Sequence, residues 1–362
     1  MFQYLCYTVN PMSTVAIIGA GMMGSAMCWP LSDRQHRVYL VGTPLDRSII
    51  AGLRQTGVHA TLQRPLPPGV QVLDHTEIPY AIHHADWVIN GVSSLGIPWF
   101  STTVGPHLSA GQIILSVTKG LEDVEDGSLI TIPESIRRRL PASLASIRIN
   151  AIGGPCIAHE LAARRQTGVV FTGEEEAPLA RLKGELMTDY YHVWISTDVI
   201  GVEFCSALKN AYAMGVGLAV GMMESAGADG LAHMVNPQSM LFAQGIYEIR
   251  NMLQLVKAGK DSLFWLPGPG DLFVTVFGGR TVKLGRLLGQ GVPFQEASQI
   301  LSGVTLESVE IITRVARALV KMEERGLARC SDFPLLFHLN EIIQCGVAVD
   351  IPWRLFFQNN YG

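Results

Sequence analysis

Residues 15–24 read VAIIGAGMMG: four apolar residues, three of them β-branched, then glycines at 19, 21 and 24. The spacing is G-x-G-x-x-G, placed directly after a strand pattern and at the opening of a helix expected from Met22 to about Leu31. In that context the first glycine permits a tight turn and the second lets a pyrophosphate approach the backbone. The third packs helix on strand, with the anion at the helix N-terminus. The pattern alone is weak evidence, since a mere tight turn gives the same letters. Its position at the head of an alternating series of strands and helices points to a dinucleotide, with Gly19, Gly21, Met22, Met23 and Gly24 as cofactor contacts.

Working outward, short β-branched runs recur at 15–19, 37–42, 70–74, 86–91, 112–118, 147–153, 168–172 and 191–197, separated by helix-like stretches. That alternation predicts an α/β fold, a Rossmann-type doubly wound parallel sheet. After Asp198 the strand signal fades, and apolar periodic segments at 200–223, 236–258, 281–289 and 305–326 predict an all-helical C-terminal domain. The expected domains are 1–198 for the dinucleotide and 199–362 for substrate and dimerisation.

Composition excludes several classes of function. The chain has 362 residues, 48% hydrophobic and 16% charged, enough apolar material for two cores. Its net charge of −4 carries no long basic run, so neither nucleic acid nor an anionic membrane surface is an expected partner. Six scattered cysteines form no CxxC pair and no zinc-ligand spacing, which fits reduced thiols in a cytoplasmic protein and no metal. No stretch reaches the roughly 18 uninterrupted apolar residues of a membrane span. The first eleven residues lack the basic start and apolar core of a signal peptide, and with Met12 following them they read as an extended start.

One charge stands out. In IGVEFCSALKNAYAMGVGLAVGMM (200–223) only Glu203 and Lys209 are charged. Burying an ammonium is unfavourable by several kcal/mol unless it is paired or used. A desolvated lysine is also one whose pKa falls towards neutrality, where it exchanges protons. The bland alternative is a lysine that snorkels to water.

Further candidates lie where an open sheet places ligands. Lys119 sits in SVTKGLE (116–122) at the end of the fifth strand, with a surface lysine as the alternative. GGPCIAHELA (153–162) is a glycine turn entering a helix, whose backbone N–H groups suit an anion. In the helical half, PGPGDL (267–272) is followed by Thr275 and by GGRT (278–281). An arginine at a helix start opposes the dipole unless an anion sits there, so Arg280 suggests a phosphate or carboxylate; an ion pair with Asp271 is the alternative. NAD and NADP both stay open, because the second strand ends Val41-Gly42-Thr43 without an acidic residue, and Asp46 comes late with Arg47 behind it.

Taken in order, G-x-G-x-x-G, S-x-T-K-G-L-E, G-G-P-x-x-A-x-E-L-A, V-E-x-x-x-A-L-K-N, G-x-G-D-L and G-R-x-x-x-x-G-x-x-L-G-x-G resemble the NAD(P)-dependent glycerol-3-phosphate dehydrogenases over about Val15 to Gly291. The resemblance implies a homodimeric enzyme interconverting sn-glycerol 3-phosphate and dihydroxyacetone phosphate, a small anionic substrate, with NAD or NADP. It implies Lys209, Lys119 and Asp271 as catalytic residues, with Lys209 the general acid. Substrate contacts fall on Asn210, Thr275, Arg280, Thr281, Gly154 and Cys156. Cofactor contacts extend to Ser93, Ala158 and Arg280. The chain departs from the family pattern at Gln238, Gln244, Thr281 and Ser302, and reads Gly91-Val92-Ser93-Ser94 where V-P-S is usual. These departures keep two alternatives open: a reductase of another small ketone, phosphorylated sugar derivative or 2-oxo acid, and a non-catalytic dinucleotide sensor.

Overall fold

The computed structural model describes residues 12–226, 235–302 and 306–358; the start extension expected over 1–11 lies outside them. Two compact units emerge. One takes the chain up to Lys119 together with Ile132–Val199, and the other takes Gly120–Thr131 with the chain from Ile200 onwards.

The first unit is an eight-stranded sheet. Its strands are β1 (Thr14–Ile18), β2 (Arg37–Val41), β3 (Gln71–Leu73), β4 (Trp87–Asn90), β5 (Ile113–Ser116), β6 (Arg148–Gly153), β7 (Thr167–Thr172) and β8 (Tyr191–Ser196), in the order β8-β7-β6-β5-β4-β1-β2-β3. All eight expected runs are present, with ends shifted by a residue or so. The order reverses at β1, so the C-terminal ends of β1 and β4 flank the switch point, the place where such sheets bind ligands. Val15 and Ile17 join one buried cluster while Ala16 and Ile18 join another, so β1 is covered on both faces, as a parallel sheet wrapped by helices requires. One departure from the parallel expectation is the pairing of β6 with β7, which is antiparallel. The helix after β1 is also two pieces, α1 (Met22–Ala26) and α2 (Cys28–Asp33), with Met27 between them. Beyond Thr43 the chain enters α3 (Arg47–Thr56), and Ala158–Ala162 forms the short helix α4.

The second unit is built around α5 (Val199–Ser225), in which Gly201 through Ala219 are all buried. A helix apolar on every side belongs at the centre of its bundle. Around it lie α6 (Val235–Leu255), α7 (Asp271–Val276), α8 (Arg280–Gly289), α9 (Glu307–Glu324) and α10 (Pro334–Cys345). Helices α5 and α8 touch backbone to backbone: a Cβ on Gly285 would stand 2.2 Å from the Met214 carbonyl oxygen, and one on Gly221 would stand 2.0 Å from that of Arg286. Only glycine allows that approach without displacement. An ion pair of Arg286 with Glu224 and a 2.7 Å hydrogen bond from Gln290 to Glu224 close the same contact. The hairpin of Leu121–Asp123 and Leu129–Thr131, which the sequence patterns do not signal, belongs to this unit. On α9, Arg317 pairs with Asp123 at 2.7 Å and Arg314 donates to the Leu121 carbonyl at 2.9 Å.

A carboxylate is also buried in the bundle. Glu248 on α6 accepts from the Leu335 and Leu336 backbone N–H groups at 2.8 and 3.0 Å, satisfying the start of α10, and from Gln244 at 2.8 Å. Gln244, one of the departures from the family pattern, therefore serves a core carboxylate. Desolvation outweighs these donors and pushes the Glu248 carboxyl up to about 7. The folded state then holds a proton that the unfolded chain releases from about 4.5 upwards. This contribution is complete below the unfolded value and is lost as pH rises through 7. Glu248→Gln is expected to remove a pH-dependent term of about 3 kcal/mol. Melting curves of both proteins at pH 5 and pH 8 read it as a smaller fall in Tm for the variant; equal falls would contradict the assignment.

Candidate active site

Local sequence explains the glycine loop. Gly19 has φ of +112°, and a Cβ there would lie 2.7 Å from the Gly91 carbonyl. A Cβ on Gly24 would lie 2.2 Å from the Gly19 carbonyl oxygen, whereas at Gly21 nothing lies within 4 Å. The outer glycines are thus demanded by chain packing, and the middle one faces open space. The N-terminus of α1 has no side-chain cap and no acidic residue in its first turn. This is the cradle a pyrophosphate needs: bare backbone N–H groups beside a position that any side chain would fill. The residues present therefore fit a dinucleotide.

Next to the loop, buried polar groups set the ends of β4 and β5. Asn90 donates to Ser116 and to Thr118, each at 3.0 Å, and Thr118 donates to the Val92 carbonyl at 2.7 Å. This knot, absent from the sequence reading, fixes the segment that carries Lys119. The only hint was polar residues closing two otherwise apolar strands. Lys119 Nζ then donates to the Gly154 carbonyl at 2.9 Å. Gly154 has φ of +107°, which favours glycine at that turn. Lys119, Gly154, Cys156, Met23 and Tyr191 border one cavity of about 20 Å³, and the Cys156 thiol lies 4.0 Å from the Met23 sulfur. Ala158 is buried at the start of α4, and Ser93 is exposed just after β4.

The helical unit gathers the second group. Lys209 is not a snorkelling residue: its side chain is 11% exposed, and its ammonium is paired with the carboxylate of Asp271, which is wholly buried. Opposite charges at contact in a dry interior compensate the desolvation that neither could bear alone. Asp271 opens α7, just after the buried Pro267-Gly268 of a wide helical turn over Leu266–Gly270. A carboxylate in a first helical turn also meets the positive end of the dipole. The Thr275 hydroxyl donates to the Asp271 carbonyl at 2.7 Å, a bond within the helix.

Arg280 does not pair with Asp271, whose partner is Lys209. Its guanidinium lies 4.0 Å from Glu307 and remains half exposed at the start of α8, after a Gly279 with φ of +92°. Glu307, at the start of α9, also accepts from Asn210 at 3.4 Å. It links two expected site residues and was missed by the sequence reading. Its signal was modest: a carboxylate at the first position of an amphipathic helix. Thr281 is buried beside Arg280. Of the other departures from the family pattern, Gln238 is half-buried and Ser302 is exposed, and the neighbouring Gly303 lies outside the described residues.

The expected residues thus fall into two groups. Lys209, Asn210, Asp271, Thr275, Arg280 and Thr281 belong to the helical unit, and the glycine loop, Ser93, Lys119, Gly154, Cys156 and Ala158 belong to the sheet unit. Chemically, the helical group offers a buried proton donor with its counter-ion, an amide and an accessible guanidinium. Among the described residues no cluster of three or more His, Cys, Asp or Glu is arranged to hold a metal, and no helix is long and apolar enough to cross a membrane.

Comparison with known proteins identifies the family. The NADP(+)-dependent glycerol-3-phosphate dehydrogenase of Archaeoglobus fulgidus is 34% identical over 287 residues, covering 79% of this chain and 83% of that protein. A glycerol-3-phosphate dehydrogenase [NAD(P)+] of Agathobacter rectalis is 29% identical and covers 92% of each chain. The crystal structure of glycerol-3-phosphate dehydrogenase from Coxiella burnetii shares the fold, with a TM-score of 0.79 at 22% identity over 95% of this chain and 98% of that one. Family models for the N-terminus and C-terminus of NAD-dependent glycerol-3-phosphate dehydrogenase match residues 14–178 and 198–352 respectively. With both halves matched, the chain belongs to the NAD-dependent glycerol-3-phosphate dehydrogenase family.

Proposed function

We propose that this protein interconverts dihydroxyacetone phosphate and sn-glycerol 3-phosphate, with NAD or NADP as the hydride carrier. The observation that carries the reading is the buried ion pair of Lys209 with Asp271, on the helix that also presents Asn210 and in the unit that presents Arg280. The bound nicotinamide supplies or accepts the hydride. In the reducing direction a new C–H bond at the ketone carbon leaves an electron pair on its oxygen, and Lys209 donates a proton there to complete the alcohol. In the oxidising direction the lysine takes that proton back. Asp271 holds the ammonium in place, Asn210 orients the carbonyl or a neighbouring hydroxyl, and Lys119, by the family pattern, adds positive charge that stabilises the developing alkoxide. Arg280, with Thr281 and Thr275, holds the phosphate, and Gly154 and Cys156 contribute further substrate contacts. The same reading assigns the dinucleotide to residues 1–198, the remaining substrate contacts and the dimer contacts to 199–362, and a cytoplasmic homodimer as the working form.

Oxidation of NADH or NADPH by dihydroxyacetone phosphate is the direct assay, and turnover is expected with the purified chain. Lys209→Arg keeps a charge for Asp271 but retains its proton, and Lys209→Met removes the donor altogether. Both are expected to lose about 10² to 10⁴ in kcat with circular dichroism unchanged. No turnover by the parent chain with either nucleotide would contradict the substrate assignment, and full activity of Lys209→Met would contradict the general acid. Arg280→Gln is expected to lose about 10- to 100-fold in kcat/KM for dihydroxyacetone phosphate, because a charge-assisted hydrogen bond is removed. Unphosphorylated dihydroxyacetone serves as the control; an equal loss on both ketones would show that Arg280 does not read the phosphate.

A further inference from the structure

The turn after β2 decides which dinucleotide is taken. In sheets of this topology an acidic residue near the end of the second strand binds a free ribose 2′-hydroxyl, while a nearby arginine accommodates a 2′-phosphate. Here Gly42 directly follows the strand, and a Cβ at that position would stand 2.5 Å from the Ile50 side chain on α3. No side chain is available at the usual reading position.

The next carboxylate along the chain is Asp46, and it points inward. Its Oδ2 accepts from the Thr43 backbone N–H and the Thr43 hydroxyl, each at 2.8 Å. The same oxygen accepts from the Ala20 N–H at 3.1 Å. Ala20 is the residue between the first two glycines of the loop, so Asp46 ties the turn to the pyrophosphate cradle. A parallel tie runs from Gly19 N–H to the Val41 carbonyl at 2.8 Å. Two more carboxylates follow the neighbouring strand β3, and both are engaged. Asp74 accepts from the Thr76 N–H at 3.1 Å, and Glu77 accepts from the Asp74 N–H at 2.8 Å and pairs with Arg54 at 2.6 Å.

What the turn leaves outward is a cation. Arg47, immediately after Asp46 and first in α3, is exposed and makes no hydrogen bond or ion pair among the described residues. Resting on the dehydrogenase reading above, we propose that the ribose subsite of this chain takes a 2′-phosphate, so that NADP(H) is preferred to NAD(H). Arg47 is the residue that discriminates, and Asp46 is a positioning residue for the turn. A carboxylate with three donors on one oxygen repels an incoming phosphate less than a free one does, and an unpaired guanidinium offers the bidentate geometry a phosphate accepts.

Equilibrium binding to the purified full chain tests this without turnover. Titration with NADPH and NADH, followed by calorimetry, is expected to give at least tenfold tighter binding of NADPH, weakening as salt rises. Arg47→Gln should remove most of that margin by weakening NADPH while NADH holds its affinity. Asp46→Asn should weaken both nucleotides together, because it loosens the shared loop. Equal or tighter binding of NADH by the parent chain, or an unchanged ratio in Arg47→Gln, overturns the proposal. Binding of neither nucleotide overturns the dehydrogenase reading itself.

Discussion

The buried ion pair of Lys209 and Asp271 is the constraint on which the helical unit depends. Two charges taken out of water tolerate no slack: a small separation restores the full desolvation penalty without the attraction that offsets it. The lysine therefore sits on α5, whose residues from Gly201 to Ala219 are buried, and the aspartate sits at the head of α7 behind a buried Pro267-Gly268 turn. The glycine contacts between α5 and α8 extend the same rigidity to Arg280 at the start of α8. Lys209, Asp271 and Arg280 are thereby held in one packed unit.

In the sheet unit the corresponding constraint is close approach of backbones. Gly19 against Gly91, and Gly24 against Gly19, bring the loop tightly onto β4 and leave Gly21 bare. Side chains then lock this arrangement from both sides, with Asp46 holding the turn after β2 and the Asn90, Ser116 and Thr118 knot holding the turn after β5. Polar residues buried at strand ends thus do positional work that the apolar runs do not, since each must find its hydrogen bonds in one geometry.

How much of this was legible follows from the range of each signal. The eight strands were legible because apolar, mostly β-branched runs of five to seven residues recur between helix-like stretches, with both faces buried in inner strands such as β4 and β5, and the central helix because its apolar character is continuous. Direction of pairing was not: nothing in Thr167–Thr172 itself says that it runs against β6. The hairpin at 121–131 was missed because its strands are three residues each and too short to show a period. Lys209 drew notice as a charge in an apolar stretch, whereas Asp271 was first read as an alternative partner for Arg280 and joined the lysine only through the family resemblance. Glu307 and Glu248 escaped because a carboxylate on an amphipathic helix reads as surface, and only tertiary packing reveals that it joins Asn210 to Arg280 or feeds the start of α10.

The most direct test of the central pair is a double-mutant cycle on stability. Urea unfolding of Lys209→Met, Asp271→Leu and the double variant isolates the interaction from each side chain's own contribution. Each single change should cost about 3 to 5 kcal/mol by stranding a buried charge, and the double variant should be more stable than either. Losses that simply add would show that the two charges are independent, and the account of a mutually compensated pair at the centre of the helical unit would be wrong.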